Sequence, residues 1–132
     1  MRVNLDGDKP RILFVDDEPH VLASLRASFR KDRQRWLLVF ATSAIEALEL
    51  LGRDDCRVVV SDMRMPGMDG EQLLRRVQSE FPAAARIMLS GHADPEAVER
   101  LRPVLHAFLA KPCDLADLRL TIEAALGAMR AA

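Results

Sequence analysis

Short apolar runs alternate along the chain with longer segments in which apolar and polar positions repeat at helical spacing. Apolar runs without polar alternation are typical of strands that are buried on both faces of a sheet. Five such runs occur, at Arg11–Val15, Trp36–Phe40, Arg57–Val60, Arg86–Leu89 and Ala107–Ala110. Each run ends in polar or turn-forming residues and is followed by a segment with helical spacing. The pattern predicts five strands that alternate with five helices.

The helical segments begin and end with residues that favour helix termini. An N-cap side chain is expected to accept a backbone N–H at the start of four helices, at Ser43, Asp69, Asp94 and Asp114. Glu46 follows Ser43 at the spacing of a capping box. Gly52 is expected to end the second helix, and Pro103 to end or kink the fourth.

Strands that alternate with helices are joined by right-handed crossovers, which makes the strands parallel and places helices on both faces of the sheet. We therefore expect one α/β domain with a doubly wound five-stranded sheet in the order 2-1-3-4-5. This domain should span residues 11–128, between an N-terminal extension of residues 1–10 and a C-terminal tail of residues 129–132. A length of 132 residues is sufficient for one such domain with its own core.

Composition narrows the functional classes. The 19 Lys and Arg residues nearly balance the 20 Asp and Glu residues, so no basic face predicts direct binding of nucleic acid. No apolar run is long enough to cross a membrane, and residues 1–10 are too polar for a secretory signal, which predicts a cytoplasmic protein without a membrane partner. Cys56 and Cys113 fit no metal or redox spacing and are expected to be free thiols. Four arginines near the first helix are expected to form a solvated face, namely Arg26, Arg30, Arg33 and Arg35.

Charged and hydroxyl side chains stand directly at the ends of four predicted strands. The first strand leads to Asp16 and Asp17, the third to Asp62, the fourth to Ser90 and the fifth to Lys111. Because the carboxyl ends of parallel strands meet at one edge, we expect these side chains to share a crevice beside the switch point. Three carboxylates packed together repel one another unless a cation binds between them. Oxygen ligands without His or Cys predict Mg²⁺, with Mn²⁺ as an alternative.

Taken in this order, the residues resemble the receiver domain of bacterial two-component response regulators, and the resemblance covers essentially the whole chain. The matching motifs are Asp16-Asp17, the run Asp-Met-Arg-Met-Pro-Gly-Met-Asp-Gly from Asp62 to Gly70, Ser90-Gly91 and Lys111-Pro112. The resemblance implies a flavodoxin-like receiver fold with a cis peptide bond before Pro112. It also implies a signalling phosphoacceptor that catalyses only its own phosphorylation and dephosphorylation, and not a conventional enzyme.

The resemblance further implies a donor, a metal and their ligands. Asp62 would take a phosphoryl group from a histidine kinase or a histidine phosphotransfer protein. Mg²⁺ would be held by Asp17, Asp62 and the backbone carbonyl of Arg64, with Asp16 acting partly through a water molecule. The ion would neutralise charge on the transferred phosphoryl group.

Other residues match positions that hold the phosphoryl group, switch the surface or tune the phosphoryl lifetime. Lys111 would neutralise one phosphoryl oxygen, and the hydroxyl of Ser90 would donate a hydrogen bond to another. Phe108 matches the aromatic side chain that turns inward when the hydroxyl residue moves toward the phosphoryl group. Arg64 and His92 match the positions that tune the lifetime.

The surface that switches would consist of the fourth helix, the fifth strand and the fifth helix. Its candidate contacts to a partner, or to a second copy in a homodimer, are Val98, Leu101, Leu105 and Leu118. The chain is expected to act either as a single-domain regulator on a downstream protein or as the N-terminal receiver of a longer regulator. In the second case the fused output domain would be enzymatic or would bind DNA.

Two alternatives from other classes fit the residues less well. A haloacid-dehalogenase-type phosphatase uses a second Asp two residues after its nucleophile as a general acid, and Arg64 stands there instead. A flavodoxin-like cofactor carrier needs a phosphate-binding loop after the first strand. Asp16, Asp17 and Glu18 would repel a phosphate there unless a cation intervened.

Overall fold

Five parallel strands form one sheet in the order 2-1-3-4-5, so the predicted order is confirmed. The computed structural model describes residues 9–91 and 94–131, with side chains up to residue 128. The strands are β1 Arg11–Val15, β2 Leu37–Ala41, β3 Val58–Asp62, β4 Ala85–Ser90 and β5 Ala107–Ala110. The division into an extension of residues 1–10, a domain and a tail of residues 129–132 stays a prediction.

Five α-helices and one 3-10 helix connect the strands. They are α1 Pro19–Ser28, the 3-10 helix Arg30–Gln34, α2 Ala44–Arg53, α3 Gly70–Glu80, α4 Pro95–Leu101 and α5 Leu115–Ala131. Asp69 accepts the N–H of Gln72 and the side chain of Gln72 accepts that of Asp69, so α3 begins with a complete capping box. The predicted N-caps Asp94 and Asp114 likewise accept backbone N–H groups.

Helix α2 departs from the prediction at both of its ends. Ser43 accepts the N–H of Glu46 as expected, but the carboxylate of Glu46 accepts the N–H of Thr42 in place of that of Ser43. Gly52 does not end the helix, which continues through Arg53. Gly52 also lacks the positive φ that a glycine cap uses, and it therefore acts as an ordinary, less favourable helical residue.

The second strand begins one residue later than the pattern predicted. Trp36 lies before β2, because its backbone N–H bonds to the carbonyl of Asp32 at 2.8 Å and closes the 3-10 helix. The Trp36 ring is buried beside Phe29, with 6.3 Å between the ring centroids. Trp36 thus contributes to the core from the loop before the strand.

The sheet separates two layers of buried side chains. One face packs against α2, α3 and α4 through Leu13, Val15, Val59 and Met88. The other packs against α1 and α5 through Ile12, Phe14, Val58, Val60 and Ile87. The interior strands are therefore covered on both faces, as their continuous apolar runs predicted. Within the described ranges, no helix is both long and apolar enough to span a bilayer.

Two of the predicted surface contacts belong to the core. Leu101 is fully buried under α4 and Leu118 is fully buried under α5, so neither is available to a partner in this arrangement. The prediction was wrong for these two because helical spacing identifies the apolar face of a helix but not the side on which it is covered. Val98 and Leu105 are half-buried and remain at the surface between α4 and β5.

Candidate functional site

Three carboxylates meet at the carboxyl edge of the sheet, as the strand ends predicted. Asp16 and Asp17 follow β1, and Asp62 ends the neighbouring strand β3, where Val15 lies opposite Ser61. One oxygen from each carboxylate lies within 4.8 Å of the other two. Asp16 is buried, whereas Asp17 and Asp62 are half-buried and face the opening. The chain therefore concentrates three negative charges in one small volume.

Lys111 is the cation that faces these acids. Its Nζ lies 3.3 Å from Oδ2 of Asp16 and 3.3 Å from Oδ1 of Asp62. The backbone N–H of Lys111 donates to the carbonyl of Ser90 at 2.7 Å, and the peptide bond before Pro112 is cis, as the resemblance implied. One ammonium thus faces three carboxylates, which leaves the site with an excess of negative charge.

The pKa values of Asp62 and Lys111 reflect the same excess of negative charge. Burial is the largest influence on the pKa of Asp62 and raises it; repulsion by Asp16 raises it further, and Lys111 only partly offsets this. Burial is also the largest influence on the pKa of Lys111 and lowers it, but attraction to Asp62 and Asp16 outweighs burial and leaves that pKa raised. These shifts favour the charged form of Lys111 and disfavour the charged form of Asp62.

The donor set suits a hard divalent cation. The cluster offers carboxylate oxygens only, with no His or Cys among the described residues that form it. Mg²⁺ and Mn²⁺ prefer such ligands, and a divalent charge would compensate the negative excess left by Lys111. The backbone carbonyl of Arg64, the fourth predicted ligand, belongs to the loop that directly follows β3, and its role as a ligand stays a prediction.

The main chain around Asp62 is held by contacts that sequence reasoning missed. The backbone N–H of Met63 donates to Oδ1 of Asp62 at 3.0 Å, and the hydroxyl of Ser61 donates to the carbonyl of Asp62 at 2.8 Å. The N–H of Gly70 donates to the carbonyl of Met63 at 2.8 Å and closes the loop. Gly67, in this loop, has a φ of 76°, which explains the glycine of the Pro-Gly turn.

Ser90 and Phe108 lie on the same face of the sheet. Phe108 pairs with Met88 in the register of β4 and β5, and Ser90 stands two residues beyond Met88. Ser90 is buried, and its hydroxyl lies 3.9 Å from the sulfur of Met63. Phe108 is half-buried and lines a cavity of about 150 Å³ between α4 and β5. The two predicted switch residues are thus close in the sheet, and their switching stays a prediction.

Arg64 and His92 complete the predicted set. The side chain of Arg64 is exposed beside the site. His92 lies outside the described residues. Tuning of a phosphoryl lifetime by either residue stays a prediction.

A second cluster of charges lies away from the strand ends. Asp32 is buried in the 3-10 helix and accepts hydrogen bonds from Arg35 and Arg119, which ties this helix to α5. Arg35 also pairs with Glu123 at 2.9 Å. The side chain of Arg35 is exposed, as the predicted solvated face requires, and it is also held by ion pairs with Asp32 and Glu123. Every one of these charges has a partner, so this cluster is structural.

Comparisons with known proteins identify the family to which the chain is similar. Residues 12–123 match the family described as the response regulator receiver domain. The chain is 36% identical over 116 residues to the transcriptional regulatory protein GlrR of Escherichia coli (strain K12), covering 87% of this chain and 26% of that protein. It is 33% identical over 104 residues to the C4-dicarboxylate transport transcriptional regulatory protein DctD of Rhizobium meliloti (strain 1021), covering 78% and 22%. The chain thus spans about a quarter of the length of these relatives.

Solved structures show the same fold. The signal receiver domain of an HD domain-containing protein from Pseudomonas fluorescens Pf-5 superposes with a TM-score of 0.88 at 30% identity, covering 94% of this chain and 99% of that one. A CheY-like response regulator receiver domain protein from Methanospirillum hungatei JF-1 superposes with a TM-score of 0.85 at 27% identity, covering 93% and 98%.

Proposed function

The chain belongs to the response regulator receiver domain family of two-component systems, and from this premise we propose that it accepts a phosphoryl group on Asp62. The observation that supports the proposal is the unequal charge at the carboxyl edge, where one ammonium faces three carboxylates. A site that binds a divalent cation and then a phosphoryl group needs such an excess. A receiver domain is a signalling domain, and we propose that this one catalyses its own phosphorylation.

In the proposed reaction an oxygen of Asp62 attacks the phosphorus of a phosphohistidine on a histidine kinase or a histidine phosphotransfer protein. The new O–P bond forms as the P–N bond breaks, and the imidazole of the donor leaves with the electron pair of that bond. Oδ1 of Asp62 already accepts from Met63 and Lys111, and no described residue donates a hydrogen bond to Oδ2. Oδ2 is therefore the oxygen that we assign to the attack.

The residues around Asp62 would bind the metal and neutralise the charge of the phosphoryl group. Asp17, Asp62 and the carbonyl of Arg64 would hold Mg²⁺, with Asp16 acting partly through water, and the ion when bound would neutralise charge on the phosphoryl oxygens. Lys111 supplies a second positive charge from its position 3.3 Å from the carboxylate.

The hydroxyl of Ser90, which lies 3.9 Å from the sulfur of Met63, would move to donate a hydrogen bond to a phosphoryl oxygen. As Ser90 moves, the ring of Phe108 would turn inward from the cavity that it lines. Arg64 and His92 would flank the path of the water that hydrolyses the phosphoryl group and so set its lifetime.

The output of the switch would pass through α4, β5 and α5. A groove of about 420 Å³ runs along β5 and α5 beside Ala107, Ala124 and Ala128, and Leu120 at its edge is 63% exposed. A downstream protein, a fused output domain or a second copy in a homodimer would bind this face. The relatives are named as transcriptional regulators, which supports a cytoplasmic regulator with a DNA-binding output domain; the receiver of an HD domain-containing protein keeps an enzymatic output as the alternative.

Labelling with acetyl phosphate tests the proposal. In the presence of Mg²⁺ the protein should gain one acid-stable, base-labile phosphoryl group, and a chelator should prevent this. Asp62→Asn should gain none at that site, whereas Asp55→Asn, which changes an exposed aspartate at the opposite edge, should be labelled normally. Undiminished labelling of the Asp62→Asn protein at the same site would contradict the proposal.

A further inference from the structure

We propose that Gly70 and Ser61 position the carboxylate of Asp62 by holding its main-chain carbonyl between them. The inference rests on the proposed function, because it concerns the geometry of the same phosphoacceptor. Neither residue would touch the metal or the phosphoryl group. Both would act through the single peptide unit that joins Asp62 to Met63.

Gly70 brings the first turn of α3 directly against this peptide unit. A Cβ atom at Gly70 would overlap the carbonyl oxygen of Asp62 and would lie 2.9 Å from Cα of Met63 and 3.0 Å from the carbonyl carbon of Asp62. All three atoms belong to the backbone, so no side-chain rotation could relieve the overlap. The glycine is required by this close approach and not by its φ, since Gly67 has the only positive φ among the described residues.

Ser61 holds the same carbonyl through a hydrogen bond. Its side chain is fully buried, and its hydroxyl donates to the oxygen of Asp62 at 2.8 Å. The Asp62 carbonyl is thus held by a hydrogen bond from one residue and limited by the packed backbone of another.

The peptide unit transmits this constraint to the carboxylate. The carbonyl of Asp62 and the N–H of Met63 lie in one rigid plane. That N–H donates to Oδ1 of Asp62 at 3.0 Å, while the carbonyl of Met63 accepts from Gly70. A rotation or shift of the plane would therefore move the group that orients Oδ1, which is also the oxygen 3.3 Å from Lys111. Displacement of about 1 Å at a reacting group can cost about 100-fold in rate.

Other glycines provide matched controls. A Cβ at Gly52 or Gly127 would meet no atom within 4 Å; both residues lie inside helices, whereas Gly70 is the first residue of α3. Gly52→Ala therefore adds the same methyl group to a helix without touching the site. A helical Gly→Ala change at an open position is expected to be neutral or slightly stabilising.

The experiment compares Gly70→Ala, Ser61→Ala and Gly52→Ala with the parent protein. The readouts are the rate of labelling by acetyl phosphate, the Mg²⁺ dissociation constant, the ¹³C shift of the Asp62 carboxyl in metal-free protein, and thermal unfolding. Gly70→Ala should slow labelling on the order of 100-fold, and Ser61→Ala should slow it several-fold, with both changing the carboxyl shift. Gly52→Ala should stay within about twofold of the parent in rate.

Each outcome decides the inference. A folded Gly70→Ala protein with the rate, Mg²⁺ affinity and carboxyl shift of the parent overturns it, even if its melting temperature falls. If Gly70→Ala does not fold, Ser61→Ala decides: it removes a hydroxyl without adding atoms, and a parental rate and shift in this variant would overturn the inference. If the parent itself takes no phosphoryl group, the proposed function fails, while the carboxyl shift and the Mg²⁺ affinity still test the positioning.

Discussion

Two cations at opposite edges of the sheet, the half-buried Lys111 and the buried Arg86, have opposite surroundings. Lys111, at the carboxyl edge, faces three carboxylates and leaves their charge in excess. Arg86, near the start of β4 at the amino edge, is 8% exposed and has only neutral acceptors among the described residues. Its guanidinium donates to the carbonyls of Val104 at 2.7 Å and Ala84 at 2.8 Å. Burial lowers the pKa of Arg86, although an arginine remains charged.

The difference separates a structural charge from a functional one. Arg86 ties together the connections into β4 and β5, because its guanidinium donates to carbonyl groups of the chain in both of them. The carboxylates around Lys111 would gain from a further cation that the chain itself does not supply. Substitutions at the amino edge should therefore reduce stability and leave the reaction intact, whereas those at the carboxyl edge should do the reverse.

The largest effect is expected from removing the guanidinium at the amino edge. Arg86→Met keeps the length of the side chain but leaves the carbonyls of Val104 and Ala84 without their donors, and should lower the free energy of unfolding by about 3 kcal/mol. Urea denaturation measures this change, with Arg57→Met, an exposed arginine at the same edge, as the control. Labelling per folded molecule should be unchanged. A loss of labelling without a loss of stability would contradict the structural role assigned to Arg86.

The second effect concerns the metal. Asp17→Asn removes one carboxylate charge and should weaken Mg²⁺ binding at least tenfold, about 1.4 kcal/mol, because fewer anionic ligands remain. The unfolding free energy of the metal-free protein should not decrease, since the repulsion within the cluster is reduced. Isothermal titration calorimetry measures the Mg²⁺ affinity and urea denaturation measures the free energy of unfolding, with Asp55→Asn as the control. Equal Mg²⁺ affinity in Asp17→Asn and the control would exclude Asp17 as a ligand.

A smaller effect is expected on stability when the phosphoacceptor charge is removed. The pKa of Asp62 is raised in the folded protein, mainly by burial, so the folded state favours the protonated acid more than the unfolded state does. Its contribution to stability is present at low pH and is lost as the pH rises through the folded pKa. Asp62→Asn should therefore stabilise the metal-free protein at pH 7 by roughly 0.5–1 kcal/mol. The gain should fade as the pH approaches 4. A destabilised variant at pH 7 would contradict this sign.

The smallest expected effect is a pH dependence of stability caused by His106 at the amino edge. Nδ1 of His106 accepts the backbone N–H of Arg86 at 3.0 Å and must be unprotonated to do so. Burial, and then the charge of Arg86, lower the pKa of His106 below its ordinary value of 6.5. Because the unfolded state binds the proton more readily, this contribution to stability is complete above that value and is lost as the pH falls below it. Denaturation at pH 7.5 and pH 5.5 should show a decline that is reduced in His106→Gln; an equal decline in both proteins would exclude His106.

Local signals were enough to predict the strand order and the ends of the functional strands. Asp16, Asp17, Asp62, Ser90 and Lys111 stand next to apolar runs, and the carboxyl ends of parallel strands meet at one edge whatever the packing details are. N-caps such as Asp69 were predictable for a related reason, because the accepting side chain and the backbone N–H that donates to it lie within one turn.

Tertiary structure decided every feature that depends on a neighbour distant along the chain. Gly52 and Gly70 are both helical glycines, but only Gly70 meets the backbone of another element. The sequence does not distinguish Arg86 and Arg35 from its other arginines. In the folded protein, backbone carbonyls surround Arg86 and Asp32 lies beside Arg35.

Leu101 and Leu118 show the same limit for apolar side chains. Their spacing predicted an apolar helix face, and the packing of α4 and α5 on the sheet determined that this face is buried. Periodicity and strand-end chemistry depend on neighbours within a few residues, so the sequence by itself determined the layout of the sheet and the acids and lysine at its edge. Burial and charge pairing depend on distances between segments, and these exist only once the chain has folded.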